Sequence, residues 1–187
     1  MRDGQSTRRR IDDAALRLFV AKGVTETSVR DLAQAAGIAE GTLYRHYASK
    51  DDLVADLFAG NYAAFARRLA GLERLDDVVA EVFRFHDENP TLFRFLLLVQ
   101  HQALPRVPEG ADNPVSVLKA LIERGIRDGA ITLADAALGT AMALGLMLQP
   151  ATAVVYGRLD PPLSRFAPTI SAACWRALNP PKDTDHA

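Results

Sequence analysis

The strongest constraint on the fold of this chain is a stretch near its N-terminus, Thr27 to Lys50, which reads TSVRDLAQAAGIAEGTLYRHYASK. Its first part predicts a short helix, because its apolar residues fall at helical spacing on one face. Those residues are Val29, Leu32, Ala33 and Ala36. Thr27 or Ser28 can cap the start of this helix, and Ser28 with Asp31 has the spacing of a capping box. Gly37 ends the helix at the position where left-handed backbone is least costly.

The residues after this turn predict a second short helix, from about Glu40 to Tyr47. Ile38 and Leu43 face the interior, so the helix buries little of its surface. Its outer face carries small, polar, aromatic and basic residues, namely Ala39, Gly41, Thr42, Tyr44, Arg45 and His46. A short helix with such a face suits insertion into the major groove of DNA.

This stretch resembles the DNA-binding segment of TetR-type (TetR/AcrR) transcriptional regulators, a helix-turn-helix family. More than a dozen positions agree with the family's signature in type and spacing without a gap. They are Ser28, Arg30, Asp31, Leu32, Ala33, Ala36, Gly37, Gly41, Leu43, Tyr44, His46, Tyr47, Lys50 and Leu53. The resemblance covers about the first third of the chain. It implies an all-α fold with an N-terminal three-helix helix-turn-helix domain and a C-terminal helical ligand-binding and dimerisation domain, about nine helices in all.

Charge and composition agree with a two-part chain. Residues 1–50 carry a formal charge of +3 and residues 51–187 a charge of −4, so a mildly basic head precedes an acidic body. We therefore expect a helix-turn-helix domain over residues 1–50, a connecting helix over about 49–72, and a regulatory and dimerisation domain over 51–187. Cys174 is the single cysteine, which excludes an internal disulfide and fits a reducing compartment. The N-terminus lacks a signal-peptide pattern, so we expect a cytoplasmic protein. The resemblance implies that it is bacterial and nucleoid-associated when bound to DNA.

Helical periodicity continues along the whole chain, and no stretch predicts a strand. A first helix should span Thr7–Lys22 after a disordered start over residues 1–7. The basic run Arg8–Arg10 either reaches phosphates or a minor groove, or is a solvated helix start. Further helices are expected over about 49–72, 75–87, 90–104, from Pro114, from a Thr132–Asp135 capping box, and over 162–178. The longest loop covers Pro105–Pro114, and the tail after Pro180 is polar.

The segment Ala136–Gly157 contains no charged residue and is the most apolar part of the sequence. Its length would suit a membrane span. However, it is rich in Ala and Gly, has Pro150 near its middle, and has few basic residues beside it. We therefore expect no membrane insertion, but a buried helix that is kinked at Pro150 and packed through Gly139, Ala143 and Gly145.

The resemblance implies which residues of the head contact DNA. Near the base edges it places Arg30, Glu40, Gly41, Thr42 and Arg45. Arg can pair bidentately with guanine, and a Thr methyl can touch a thymine methyl. As phosphate-positioning groups it suggests Tyr44, His46, Lys50, Thr27 and Ser28. Lys50 should lie in the first turn of a helix, whose free N–H groups also favour an anion. Tyr47 is expected to pack in the core.

One short helix reads only a few base pairs, so a workable regulator needs two copies on successive turns of a pseudo-palindromic DNA operator, about 34–36 Å apart. The sequence therefore predicts a homodimer. The resemblance implies an interface made by the last two helices of each subunit, over Leu144–Tyr156 and Phe166–Trp175. Its candidate residues are Leu144, Tyr156, Phe166, Ile170 and Trp175. The alternative for Tyr156 and Trp175 is packing within their own subunit.

The resemblance also implies a small hydrophobic or cationic effector in an apolar cavity of the body. Helical spacing suggests Phe83, His86, Phe93, Leu97, His101, Leu118, Leu121, Met142 and Leu146 as its lining. Ordinary core packing is the alternative for most of them. His86 and His101 are polar groups on otherwise apolar faces, so they are the candidates for orienting a ligand.

Three functions therefore compete. The sequence favours a ligand-released repressor, but an activator on the same scaffold and a DNA-binding protein without a ligand remain open. An enzyme is disfavoured, because no HExxH, CxxC, phosphate-binding glycine loop or nucleophile elbow is present. We accordingly expect no catalytic residues, no metal and no cofactor.

Overall fold

The computed structural model describes residues 2–106 and 112–181, and the side chains of residues 4–105 and 112–181. These residues form nine α-helices, two short 3-10 helices and no strand, which confirms the all-α prediction. The helices in the first part of the chain are α1 (Arg2–Lys22), α2 (Val29–Ala36), α3 (Glu40–His46), α4 (Lys50–Leu69) and α5 (Leu75–Glu88). They are followed by α6 (Pro90–Ala103), α7 (Pro114–Arg127), α8 (Ala136–Val155) and α9 (Ala167–Leu178). The 3-10 helices are Leu104–Arg106 and Leu163–Phe166.

The chain divides into two compact units, and α4 runs from the first into the second. Unit 1 comprises Met1–Tyr62 and Asn89–Ala111, and unit 2 comprises Ala63–Glu88 and Asp112–Ala187. The predicted head, residues 1–50, lies within unit 1. That unit also includes α6, because α6 packs on α1 and the ring of Phe95 stacks on that of Phe19 at 6.2 Å.

The start of α1 differs from the prediction. Residues 2–7, which we expected to be disordered, belong to α1. No proline interrupts this polar run, and the guanidinium of Arg8 anchors it by an ion pair with Asp56 at 2.9 Å. At its other end, α4 stops at Leu69, before the predicted end near residue 72, and Gly71 follows with a left-handed φ of 88°.

The helix-turn-helix segment forms as its local sequence predicts. Ser28 is the N-cap of α2, and both hydrogen bonds of the capping box with Asp31 are present. Gly37 is the C-cap with φ 64°, in the left-handed region that glycine adopts at little cost. In addition, the Arg10 side chain donates to the carbonyls of Ala36 and Gly37, so α1 supplies a second cap for α2. The turn between α2 and α3 is thereby fixed from both sides.

In unit 2 the end of α4 is held against α5. The rings of Phe65 and Phe85 stack at 4.4 Å. The guanidinium of Arg68 binds the buried carboxylate of Glu81 at 2.6 Å and that of Glu88 at 3.0 Å. Because Glu81 is paired, its burial leaves no isolated charge.

Two predicted helix starts in unit 2 are corrected. Asp135, not Thr132, caps α8, since its carboxylate accepts from the N–H groups of Ala137 and Leu138. The last helical segment is split into a 3-10 turn and α9, with proline in the first turn of α9, where its missing N–H costs least. Asn113 does cap α7 by accepting from Val115, as Asn-Pro at a helix start suggests. Much of the predicted 105–114 loop and most of the polar tail lie outside the described residues.

The prediction of a buried α8 is wrong. The helix is long and apolar enough to cross a membrane by length and composition alone, but only 28 % of its most apolar window is buried. One face, which includes Gly139 and Ala143, packs against α7 and α9. Gly145 is exposed, and a Cβ added there would meet no atom of the described residues within 4 Å. Helix α8 is continuous through Pro150.

Candidate DNA-binding site

The exposed face of α3 is the centre of the candidate site. Leu43 is fully buried and anchors the helix to unit 1. Around it, Glu40, Gly41 and Arg45 are exposed, and Tyr44 has 52 % of its surface accessible. An aromatic ring that is left this exposed does not contribute to the core, and its hydroxyl can reach a phosphate.

Two side chains on this face are linked to each other. Arg45 donates from Nη2 to the hydroxyl of Thr42 at 2.9 Å, while Thr42 and His46 are half-buried. A Cβ added to Gly41 would meet no atom within 4 Å, so no contact among residues 2–106 and 112–181 requires glycine at this position.

The N-terminus of α2 supplies a second part of the surface. Ser28 and Arg30 are exposed there. The Lys22 ammonium, 2.7 Å from Asp31, and then the Ser28 N–H hold the pKa of Asp31 well below its usual range. The carboxylate therefore stays ionised at neutral pH and keeps the cap of α2 in place.

Two predicted phosphate contacts are placed elsewhere by the structure. Thr27 is fully buried, and its hydroxyl donates to the carbonyl of Gly23 at 2.7 Å. The Lys50 ammonium donates to the carbonyls of Val24 at 2.8 Å, Thr25 at 3.4 Å and Thr27 at 2.9 Å. The three N–H donors of the ammonium are thus engaged with the loop, and a phosphate contact of Lys50 stays a prediction. Both side chains fix the loop that leads into α2.

The end of α3 is held by a network that sequence reasoning predicted only in part. Tyr47 is buried, as expected, and its hydroxyl donates to Asp12 at 2.5 Å. The Arg8 guanidinium lies 5.2 Å from the centre of the Tyr47 ring. Burial, and then the hydrogen bond to Asp12, raise the pKa of Tyr47 above its usual range, and burial also raises the pKa of Asp12. All three arginines of the basic run are exposed, and Arg8 and Arg10 also bind partners within unit 1.

The predicted effector-binding residues are scattered. Phe83, Leu118 and Leu121 are buried in unit 2, and Phe93 is buried in unit 1. Leu97, Met142 and Leu146 are half-buried. Leu121 lines a cleft of about 250 Å³ together with Arg124 and Trp175.

The two histidines of this set have different surroundings. His101 is exposed, which contradicts the expected apolar surroundings, and its role in orienting a ligand stays a prediction. His86 is buried, and its Nδ1 lies 3.0 Å from Oδ1 of Asp87. The same carboxylate accepts from the N–H groups of Leu163 and Ser164. This geometry gives His86 a structural partner. Within residues 2–106 and 112–181, no three His, Cys, Asp or Glu side chains form a group that could hold a metal ion.

The candidate interface residues also differ among themselves. Tyr156 has 60 % of its surface exposed, and Leu144, Phe166 and Ile170 are half-buried. Trp175 donates its indole N–H to Asp76 at 3.0 Å, which supports the alternative that it packs within its own subunit. Leu138, 49 % exposed on α8, is a large apolar residue that the sequence analysis did not include.

Comparisons with known proteins point to the same segment. The family described as "Bacterial regulatory proteins, tetR family" matches residues 11–57, which cover most of α1, α2 and α3 and the start of α4. The chain is 45 % identical over 58 residues to the HTH-type transcriptional repressor KstR2 of Rhodococcus jostii, over 30 % of this chain and 28 % of that protein. It is 30 % identical over 103 residues to the uncharacterized HTH-type transcriptional regulator TtgW of Pseudomonas putida, over 52 % of this chain and 77 % of that protein.

The likeness extends to the whole fold. The structure of the regulator FadR from Bacillus subtilis in complex with stearoyl-CoA matches with a TM-score of 0.72 at 21 % identity, over 89 % of this chain and 96 % of that one. The first curated relatives are matched over 26–36 % of their own length. The helix-turn-helix geometry, the family match and the TtgW relation together assign the protein. It belongs to the TetR family of bacterial regulatory proteins.

Proposed function

We propose that this protein is a ligand-released, homodimeric transcriptional repressor that binds a pseudo-palindromic DNA operator. One observation carries the proposal: α3 is anchored by a buried Leu43 and presents Tyr44, Arg45 and Gly41 to solvent. A helix that is held at one side and exposes hydrogen-bond donors at the other fits the major groove. Ser28, Arg30, Glu40, Thr42 and His46 complete the proposed DNA surface. We keep residues 1–50 as the DNA-binding part and 51–187 as the regulatory part.

The outer face of α8 supports the homodimer. It has no charged side chain along the helix and carries Leu138, Met142, Gly145, Gln149, Thr152 and Tyr156 at helical spacing. An uncharged stripe of this length with exposed Leu138 and Tyr156 is characteristic of a protein–protein contact. A second copy is its proposed occupant, because two heads about 34–36 Å apart are what successive major grooves require. Phe166 and Ile170 of α9 would extend this interface.

Ligand release is proposed from the relatives. The FadR structure holds stearoyl-CoA, and KstR2 is named a repressor. An effector releases DNA only through its higher affinity for the non-binding conformation. We propose a small hydrophobic or cationic effector in unit 2. Constitutive DNA binding without a ligand, and activation instead of repression, are the competing functions.

The test of the DNA-binding function is selection from a random duplex pool at near-physiological salt, followed by anisotropy titration of the enriched sequence. An enriched inverted repeat is expected, and Tyr44→Ala should lose at least about tenfold in affinity. Leu98→Ala is the matched control, because Leu98 is also large and exposed in unit 1 but lies on α6. Absence of any enriched sequence, with weak salt-sensitive binding that Tyr44→Ala retains, would contradict sequence-specific regulation.

The test of ligand release uses the selected operator. Fatty acids, acyl-CoA esters and hydrophobic cations are screened for a rise in melting temperature, which binding to the native state must produce. A compound that stabilises the protein should also release the operator in the anisotropy assay. Stabilisation without release would refute release by that compound, and absence of stabilisation across the panel would favour the ligand-free alternative.

A further inference from the structure

We propose that Arg45 reads a guanine in each operator half-site and that Thr42 is the positioning residue that directs its guanidinium. This inference rests on the proposed DNA-binding function and specifies one base of the partner. It is carried by the contact between Arg45 Nη2 and Thr42 Oγ1, 2.9 Å long, on the exposed face of α3.

The pair is placed so that Thr42 restricts Arg45 without neutralising it. The two residues are three apart on one helix, so their side chains lie on the same face. Thr42 is β-branched and half-buried, and its χ1 angle is restricted in a helix. In the described part of the chain, Arg45 makes no other hydrogen bond and no ion pair. A neutral hydroxyl therefore orients the guanidinium and leaves its full charge facing solvent.

The remaining donors match guanine. A guanidinium has five N–H groups in a planar fork, and Thr42 uses one of the two on Nη2. Whichever of the two Nη2 hydrogens Thr42 binds, one pair of parallel N–H groups stays free. This pair is either that of Nη1 and Nη2 or that of Nε and Nη2. Guanine presents two acceptors, O6 and N7, on its major-groove edge, and Arg paired with them is the commonest specific contact. Because Thr42 already limits the rotamers of Arg45, less conformational entropy is lost when the pair with guanine forms.

The experiment starts from the operator enriched by the wild-type protein. Each guanine is replaced singly by 7-deazaguanine, which lacks the N7 acceptor but pairs normally with cytosine. At one position per half-site we expect a loss of about tenfold, within the roughly 5–150-fold that a bidentate pair contributes. In Arg45→Gln the same replacement should have no effect. Arg17→Gln is the matched control, since Arg17 is an exposed arginine of α1 outside the proposed DNA surface and should keep the wild-type loss.

Thr42 is tested by two substitutions that preserve its shape or its chemistry. Thr42→Val keeps the shape of the side chain and removes its oxygen. The loss of operator affinity caused by 7-deazaguanine should therefore fall to about threefold. Thr42→Ser keeps the hydroxyl and should restore the wild-type loss. Melting temperature and the slope of affinity against salt should be unchanged in Thr42→Val, because a purely structural role would move the former and a phosphate contact the latter.

The outcomes separate the inference from the proposed function. If an inverted repeat is enriched but Arg45→Gln keeps the 7-deazaguanine loss at every position, guanine reading by Arg45 is overturned and the regulator stands. If Thr42→Val behaves like the wild type, the positioning role of Thr42 is overturned. If no sequence is enriched at all, the proposed function fails, and this inference with it.

Discussion

Helices α3 and α8 both present a face that the other described residues do not cover, but the two faces differ in chemistry. Helix α3 has seven residues, and its outer face is polar, aromatic and basic. Helix α8 has 20 residues without a single charge. Each contains an exposed glycine, Gly41 or Gly145, where an added Cβ would meet no atom within 4 Å. Inside a helix, glycine is less stable than alanine by roughly 1 kcal/mol.

The comparison shows that the role of an exposed helix glycine depends on the side chains around it. Neither Gly41 nor Gly145 is required by contacts within the described residues, and each lies on a surface proposed to bind a partner, so we expect that partner to approach the backbone closely there. The surrounding side chains then indicate what approaches. Beside Gly41, donors and a guanidinium suit a hydrated polyanion. Beside Gly145, the absence of charge suits the apolar surface of a second copy.

The largest effect is expected from a charge on α8. Leu138→Arg would bury an unpaired cation in the proposed interface, at a cost of several kcal/mol. The dimer dissociation constant should rise by about a hundredfold or more, as measured by sedimentation equilibrium. Leu98→Arg is the control, since Leu98 is similarly exposed but lies on α6. A dimer that is unaffected by Leu138→Arg would show that α8 contacts something other than a second copy.

The next effect is expected at Gly41. Gly41→Ala should raise the melting temperature by roughly 2–4 °C, because alanine favours the helix, and weaken operator binding by about tenfold, because the methyl group obstructs DNA. Differential scanning fluorimetry and anisotropy measure the two changes.

Gly60 provides the matched control. It is exposed within α4, and an added Cβ there also meets nothing within 4 Å. Gly60→Ala should stabilise the protein similarly without weakening DNA binding. If Gly41→Ala binds the operator as the wild type does, Gly41 is not a contact point with DNA.

Lys50 tests the extent of the proposed DNA surface in unit 1. Lys50→Met removes the donors to three loop carbonyls and should lower the free energy of unfolding by about 1 kcal/mol, measured by urea denaturation. The slope of log affinity against log salt should stay unchanged if the ammonium keeps its three loop carbonyls in the DNA complex and contacts no phosphate. A slope that falls by about 0.9 for each subunit would instead return Lys50 to the DNA surface.

The smallest effect is expected at Cys174, which lies on the inner side of α9. The thiol is buried, and burial, followed by the nearby Asp76, raises its pKa to about 11. At neutral pH it should not react with Ellman's reagent, in the wild type or in Leu138→Arg, because its own subunit covers it. Since the folded state retains this proton, stability should decrease as pH rises from the ordinary thiol value towards 11. Rapid labelling of Leu138→Arg would show that the substitution opened the subunit itself.

Features set by neighbouring residues could be predicted from the sequence. The capping box of Ser28 and Asp31, the left-handed Gly37 and the exposure of Tyr44 each depend on residues within about one helical turn. The Arg45–Thr42 contact was also within reach, because residues three apart on a helix are neighbours.

Features that depend on distant residues could not be predicted from the sequence. Lys50 meets carbonyls 23–26 residues away, and Trp175 meets Asp76 across 99 residues, so neither partner is visible in a local pattern. Helical spacing gave no way to rank the faces of α6, which is why His101 was assigned to a pocket although it is exposed. The outer face of α8 was misjudged for a related reason. The hydrophobicity of a helix such as α8 favours its burial, but it does not indicate whether the same chain or a partner buries it.

Trp175 is the single tryptophan of the chain, and it lies in unit 2 with its indole N–H bound to Asp76. Three of the four tyrosines, Tyr44, Tyr47 and Tyr62, belong to unit 1. Excitation at the red edge of the aromatic absorption band therefore selects an emitter in the body alone. The protein thus carries its own optical label, by which events in the body can be followed separately from those in the head without attaching a dye.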